Sequence, residues 1–559
     1  MNTSPPIKNV LFFYSVLIAV VYAPLVGFFS TKGAPLYGVI QYFTSDTFYY
    51  LSIARHSAGK AFFTSDGFFP TNGFHPLWEF ILVKLLGIEG VVSNHPEQIY
   101  LTILISLFLT VSGMILFGFV LRRLTGSFAI SLLGAVPGFY YLIFSSVAPS
   151  YNSTWSFING MESPLSIFFF GTFAFLAINK RVLLKPAWTT VIIPTLLTTL
   201  IIFSRLDDIF LLIPYLILVV IFSPSPKQAL LRLAVSAGVP FTALLAYLFY
   251  NHSYAGSFLP VSGLIKQGNW LWVNLTFLLT TFLPAGLINP RVNWAETSMR
   301  ALQMFVPAGL ALFWLVRWLK TARNKTERQT WLDEHHDKIV IAAMAVYVVL
   351  KGAYNFTFVY IMGQGHWYFP LSIMIFNLMV SILLADFFRD RLAQAGKNAI
   401  GAGAILLVML AANSFINHKT LGNYNLPYYK FWQSSERIES ALTAIDPHIK
   451  IVEYDDGVMA YFLDIPAMNG FGFTLDREAY EAQHSGRLLE LAYKRGFRVI
   501  GVMSYVHLSA QLGNDSDQIR RALQNMPGMN SENLDQWEFE ILYRDPDSSA
   551  VFIRFEARR

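Results

Sequence analysis

Apolar runs of membrane-crossing length recur along this chain to about residue 420, and shorter mixed patterns follow. Runs lie near 9–30, 98–121, 127–147, 164–179, 187–203, 208–223, 230–250, 300–318, 339–361, 367–388 and 399–417. Set against the roughly 20 residues a helix needs to cross a bilayer, they predict about 11 spans. Two further stretches, 76–90 and 270–289, fit either a crossing or a re-entrant or interfacial segment. Basic clusters choose between these options. They are Arg122-Arg123, Lys180-Arg181 with Lys185, Lys227 with Arg232, Arg317 to Arg328, and Arg389 to Lys397. With the N-terminus inside and both ambiguous stretches not crossing, every cluster falls on the cytoplasmic side. If both crossed, only the clusters between them would be misplaced.

The tail reads differently. From Asn423 onward charge density rises and the long apolar runs stop. Residues 430–446 have helical spacing. Lys450 to Tyr454 and Val499 to Met503 read as short buried strands, with a helical stretch near 476–496 between them. Glu538 to Tyr543 and Ala550 to Phe555 alternate as strands do. The expected fold is a polytopic α-helical membrane protein with a small C-terminal α/β domain outside the membrane. The membrane unit covers 1–420, with its first outer loop at 31–96, and the tail unit covers 421–559. The run at 9–30 exceeds a signal-peptide core and no clean cleavage pattern follows, so it reads as a retained helix.

Composition narrows the class. Hydrophobic residues make up 54% and charged residues 14% of the 559, where soluble domains carry about 25% charged. That excludes a soluble enzyme with a single anchor. Aromatics at 16% suit lipid-facing surfaces and interfacial belts. The net charge of +6 reads as loop bias and not as a nucleic-acid footprint. With no cysteine, disulfides, a thiolate nucleophile and a Cys-ligated metal site are all excluded.

Under this topology one side collects the chemically unusual residues. Asp46 comes first, because a carboxylate where a membrane helix meets water is costly unless it has a task. Thr44 or Ser45 can cap a helix opening at Asp46, with Tyr49, Tyr50, Ile53 and Ala54 along an apolar side. That predicts an amphipathic helix at the outer interface. Asp46 is then either a residue that favours the helix N-terminus or a general base that orients an acceptor hydroxyl. His75, held extended before Pro76, is a structural residue or a contact for a substrate phosphate. Asp66, in a Ser-Asp-Gly turn, reads as a turn residue.

Glu162 precedes a span, where the helix dipole favours a carboxylate. Arg205, Asp207 and Asp208 cluster where two spans meet. They either pair internally or join Asp46 in one cavity. Lys266, in an apolar outer loop, is either an interfacial snorkelling residue or a point charge for a lipid phosphate. His366-Trp367-Tyr368 opens a span, and two of the three are expected belt aromatics. Lys351 falls inside a span and must pair with a carboxylate there. His335-His336, in a segment of mixed charge, reads as a solvated loop and not as a metal site.

An ordered set of short motifs carries a resemblance. These are Ser45-Asp46-Thr47-Phe48-Tyr49-Tyr50, Thr71-Asn72-Gly73-Phe74-His75-Pro76-Leu77-Trp78, Gly160-Met161-Glu162, Ser204-Arg205-Leu206-Asp207, Leu259-Pro260 followed by Lys266, and Trp367-Tyr368. Together they cover about residues 9–420 and resemble the C-type (GT-C) polyprenyl-phosphate-sugar-dependent glycosyltransferases, nearest the arabinofuranosyltransferase-like branch. The resemblance implies a catalytic Asp in the first outer loop, here Asp46, and a polyprenyl-phosphate sugar donor bound at the outer leaflet. It implies a multi-pass protein of a bacterial inner membrane, with its active site and tail domain on the periplasmic side. Tyr454-Asp455-Asp456-Gly457, Tyr461-Phe462 and Asn469-Gly470 resemble the small outer domain of that branch. Where many relatives have two adjacent acids, this chain has Ser45-Asp46. That weakens the case for a metal, and no metal ligand is assigned, although a divalent ion stays open.

The expected activity is inverting sugar transfer, with arabinofuranose or a similar sugar moved to an envelope glycan, glycolipid or protein. Asp46 is the base. Lys266, Arg205, His366 and His75 hold the donor phosphate, and Glu162, Asp207, Tyr49, Trp367 and Tyr368 contact sugar or acceptor. The partners are the lipid-linked donor, the acceptor and membrane lipids, with no nucleic acid. The alternatives are a lipid-linked glycan flippase, which internal repeats and midplane charges would favour, and a whole-glycan ligase.

Overall fold

The computed structural model describes residues 40, 43–87, 94–144, 157–185, 187–266, 268–282, 294–321, 328–360, 365–388, 426–455, 457–503, 515–524, 526–529 and 534–558. Most of them are helical. Among them, four helices are long and apolar enough to cross a membrane: His95–Thr125, Pro226–Ala255, Thr330–Phe358 and Pro370–Phe387. Three shorter apolar helices are Ser163–Asn179, Thr189–Ser204 and Phe305–Arg317. The count of about 11 crossings is therefore not met by the described helices. The predicted runs at 9–30 and 399–417 lie outside the described residues. The run at 127–147 breaks at Val136-Pro137 into Phe128–Ala135 and Gly138–Phe144. The run at 208–223 keeps only Leu212–Ile221 as α-helix.

The ambiguous stretch at 76–90 contains the helix Pro76–Leu86, opened by Pro76 after an extended His75. Its 11 residues rise about 16 Å, roughly half a hydrocarbon core, so it cannot cross alone. The two ends of the bundle differ in chemistry. At one end, the Tyr461 hydroxyl of the tail donates to the His95 carbonyl at 3.1 Å. About 42 Å farther along the same helix, at ~1.5 Å per residue, Arg123 meets Asp337 at 3.5 Å. His335 and His336 belong to the helix Arg328–Phe358 and not to a solvated loop. His336 is buried, with its ring 4.9 Å from that of Phe222.

The helix opening at Asp46, Asp46–Ser57, also departs from expectation. No side chain caps it. The Thr47 hydroxyl instead donates to the Asn159 carbonyl at 2.6 Å. Thr47 to Ala54 are all buried, so the helix has almost no solvent face beyond its two ends and is not an interfacial amphipath. It lies between Pro76–Leu86 on one side and a short tail helix, Val458–Phe462, on the other.

The tail is an α/β unit, as its patterns require. Strands β1 (Ile451–Tyr454), β2 (Ala467–Asn469), β3 (Val499–Val502), β4 (Trp537–Arg544) and β5 (Val551–Ala557) form one sheet in the order β2-β1-β3-β5-β4. The first three are parallel, and β5 runs antiparallel to both β3 and β4. β1 and β3 are buried throughout because helices cover them, whereas β4 alternates from Trp537 to Glu540. The three-residue β2 and the helices Val458–Phe462 and Ser516–Leu523 carry too short a pattern to be read in advance.

Two features fix the tail against the Asp46 helix. Gly457 has φ +86° and sits so close that a Cβ would lie 2.6 Å from Tyr49 Cδ1 and 2.9 Å from the Tyr49 amide nitrogen. Beside it, the buried Asp455 carboxylate accepts from the amides of Gly457 at 2.8 Å, Val458 at 3.1 Å and Met459 at 2.9 Å. Buried Glu453 accepts from the Ala460 amide at 2.9 Å. Burial pushes Asp455 up to about 6 against those hydrogen bonds. Burial and the Asp455 charge also raise Glu453.

Two outcomes are expected. Gly457→Ala should cost about 1–3 kcal/mol through strain and overpacking, read as a lower unfolding temperature. Both acids have raised values, so the stability they contribute is complete below about pH 4. For Asp455 it is lost as pH rises through about 6, and for Glu453 as pH rises through that group's own raised value. The unfolding temperature, followed by circular dichroism, should fall over that range, and less steeply in Glu453→Gln.

Candidate active site

The segment from Asp46 to His75, the start of the helix Ser163–Ala174, the turn before Pro370 and the short helix Val261–Lys266 converge on one cleft. Open solvent included, it takes in about 440 Å³, and it is lined by Asp46, Tyr49, Tyr50, Ile53, Gly73, Phe74, His75, Met161, Glu162, Ser262, Lys266, Tyr368 and Phe473. Six residues singled out in the sequence thus share one surface: Asp46, Tyr49, His75, Glu162, Lys266 and Tyr368.

A chain of polar contacts forms one wall. The Lys266 ammonium donates to the Tyr368 hydroxyl at 2.6 Å, and that hydroxyl donates to Asp46 Oδ2 at 3.2 Å. Lys266 Nζ itself stands 3.8 Å from Asp46 Oδ2. Among the described residues, Asp46 Oδ1 has no hydrogen-bond partner. Burial pushes Tyr368 up to about 12 despite the nearby ammonium, so it stays a phenol. Burial works against the Lys266 charge, but Tyr368 and Asp46 outweigh it and raise the lysine above its ordinary value.

Behind this wall lies a buried ionic cluster. Arg205 Nη1 pairs with Glu162 Oε1, and Arg205 Nε faces Asp207 Oδ1 at 3.3 Å. Lys351 reaches Asp207 at 2.6 Å and Asp208 at 3.0 Å, which supplies the partner its position inside a span demands. The Tyr347 hydroxyl donates to Asp208 at 2.6 Å, and the Tyr50 hydroxyl donates to Glu162 Oε2 at 3.1 Å. Exposure separates the Arg205–Glu162 pair from the Asp46–Lys266 pair, while Asp207 keeps 25% of its side chain exposed. The Arg205 and Glu162 side chains are each 1% exposed, against 23% for Asp46 and 36% for Lys266. Only the second pair is open to a substrate. Arg205 is committed to carboxylates, with its guanidinium 5.3 Å from the Tyr368 ring centre.

The other sequence candidates fall as follows. His75 is 24% exposed on the cleft, and desolvation by the surrounding protein pushes it to about 4 against the pull of Glu162, so it is neutral at pH 7. Its Nδ1 accepts from the Leu206 amide at 3.4 Å, which assigns the proton to Nε2, facing Glu162 at 3.6 Å. The Tyr49 hydroxyl donates to the Asp455 carbonyl of the tail at 3.1 Å, leaving its ring to the cleft. Asp66 is a turn residue, accepting from the Phe68 and Phe69 amides at 2.8 Å each. His366 does not line the cleft; its ring packs 5.1 Å from Tyr140 and 5.5 Å from Tyr141. The Trp367 side chain lies outside the described residues. Among the described residues, no three His, Asp or Glu side chains group as metal ligands, and both cleft carboxylates face a basic group.

Two contributors were missed. Tyr50 was assigned only to an apolar helix side, and only the position of Glu162 reveals its role. Phe473 comes from the tail, where Gly470-Phe471-Gly472-Phe473 marks a tight turn and nothing marks a cleft.

Breaking the buried pair should be costly. Glu162→Leu should lose about 3–5 kcal/mol by leaving Arg205 under-compensated. The double variant Glu162→Leu/Arg205→Met should recover part of that loss in thermal unfolding. Additive losses would contradict the pairing.

No protein-family model and no curated protein matches the chain. In backbone course it is similar to the archaeal oligosaccharyltransferase AglB from Archaeoglobus fulgidus, solved in complex with an inhibitory peptide and a dolichol-phosphate. The TM-score is 0.49 at 11% identity, over 98% of this chain and 74% of that one. A second structure is the Archaeoglobus fulgidus oligosaccharyltransferase tethered with an acceptor peptide containing the NVT sequon. It gives 0.47 at 12% identity, with the same coverage. At this level the likeness adds nothing to the chemistry of the residues.

Proposed function

We propose that this chain is a membrane glycosyltransferase that moves one sugar, arabinofuranose or a similar one, from a polyprenyl-phosphate donor to a hydroxyl of an envelope acceptor. One observation carries the reading. A carboxylate, a phenol and an ammonium stand within 3.8 Å of one another on the open wall of the cleft. The acceptor hydroxyl gives its proton to Asp46 Oδ1 as its oxygen attacks the anomeric carbon. The bond from that carbon to the phosphate oxygen breaks, and the electron pair leaves with the lipid phosphate. Lys266 stabilises the charge that develops there, and Tyr368 holds Lys266 and Asp46 in register.

A single displacement inverts the anomeric centre. Retention by double displacement needs a second carboxylate free to act as nucleophile, and Glu162 is bound by Arg205. The proposed step uses no metal. Phe258 and Leu259, 45% and 46% exposed just before the Lys266 helix, provide an oily surface for an isoprenoid tail. Arg205 acts from behind, keeping Glu162, Tyr50 and the Tyr368 ring where they are.

Asp46→Asn should lower the transfer rate by about 10²–10⁴-fold while donor binding stays unchanged. Transfer of radiolabelled sugar by the purified protein in nanodiscs is the measurement. Full activity of the variant would remove the base from this mechanism.

A further inference from the structure

Lys266 is a flexible side chain that carries the essential charge of the cleft. A lysine held only by hydrogen bonds surrenders much of its rotamer freedom to stay in one place. Here it meets the Tyr368 hydroxyl on one side and the Phe473 ring on another. Its Nζ lies 5.0 Å from the centre of the Tyr368 ring and 5.0 Å from the centre of the Phe473 ring. Tyr368 belongs to the membrane unit. Phe473 follows β2, and among the described residues it is the cleft's one contribution from the tail.

The segment that carries Phe473 is itself firmly held. The Phe473 amide donates to Asn469 Oδ1 at 3.0 Å, and Gln483 Nε2 donates to the Gly470 carbonyl at 2.7 Å. The Ser65 hydroxyl of the first outer loop donates to the Thr474 carbonyl at 3.3 Å. Gly73 packs so tightly on the segment that a Cβ there would overlap the Phe473 carbonyl oxygen. The backbone is therefore fixed from both units, and the Phe473 ring centre lies 5.8 Å from that of Tyr49 and 5.0 Å from the Lys266 ammonium.

We infer that Phe473 is a positioning residue: its ring stands beside the Lys266 ammonium, which the Tyr368 hydroxyl holds from another side, and keeps that charge against Asp46 and Tyr368. The tail domain thereby builds part of the phosphate-binding face itself. In its catalytic consequence the inference rests on the sugar-transfer reading, but the contact between Phe473 and Lys266 can be tested without it.

The full-length protein in nanodiscs is prepared with phenylalanine, 4-fluoro-, 3,5-difluoro- or 3,4,5-trifluorophenylalanine at position 473. Fluorine drains negative charge from the ring face with little change in size, and thermal unfolding checks that each protein is folded. The first readout is the pH midpoint for acylation of Lys266, followed by peptide mass spectrometry. The second is binding of decaprenyl phosphate. The midpoint should move to lower pH stepwise with fluorination, because a weakened ring face favours the ammonium less. Binding should weaken by about 2- to 30-fold across the series, the range of a cation–π contact. Phe473→Leu should behave like the trifluoro protein and Phe473→Tyr like the parent. A flat series of Lys266 midpoints would overturn the inference. If no protein binds decaprenyl phosphate, the parent included, yet the midpoints shift, the sugar-transfer reading fails and the positioning role stands.

Discussion

A guanidinium that is 1% exposed must be neutralised where it sits, and the cleft is organised around that demand. Arg205 draws in Glu162 from the start of one helix and Asp207 from its own turn. Asp207 in turn takes Lys351 from a third segment, and Lys351 takes Asp208. Removing water from so many charges costs several kcal/mol per ion unless each finds a partner. The alternation of signs is therefore a condition of folding. One consequence reaches the reactive wall. Glu162 orients Tyr50 and faces His75, while Arg205 lies against the Tyr368 ring. The buried cluster thus acts as a template for the exposed pair without touching a substrate.

The second constraint is closeness between the two units. Gly457 presses on the backbone of the Asp46 helix, and Phe473 stands beside Lys266. A helix with almost no exposed face cannot be an interfacial anchor. Its burial converts the tail domain from an appendage into one wall of the site. The carboxyl pair at Glu453 and Asp455 lies at this junction, so acidity affects the packing of the tail against the helix that carries Asp46.

Much of this was legible in the sequence where cost forces a partner. Lys351 inside a span had to meet a carboxylate, and it meets two. Asp46, Lys266 and Tyr368 stood out as polar or aromatic residues in apolar surroundings, and they are neighbours. The strands at β1, β3, β4 and β5 were visible because β-branched and aromatic runs ended in turn residues. What failed to show was what periodicity does not encode. The Asp46 helix looked amphipathic because its second covering surface lies some 400 residues away in the tail. Phe473 sat in a glycine-rich turn, where an aromatic carries no sign of its target. His336 looked solvated beside acids, yet its ring is buried against Phe222. The run at 127–147 was counted whole, although it breaks at Val136-Pro137.

The most direct measurement follows the stereochemistry of the product. Purified protein in nanodiscs is given a polyprenyl-phosphate sugar and a glycan acceptor, and the anomeric configuration of the new bond is read by nuclear magnetic resonance. One displacement at a cleft with one available carboxylate predicts an inverted linkage and release of one polyprenyl phosphate per sugar transferred. A retained configuration, or movement of the intact lipid-linked sugar across the bilayer with no new glycosidic bond, would contradict it.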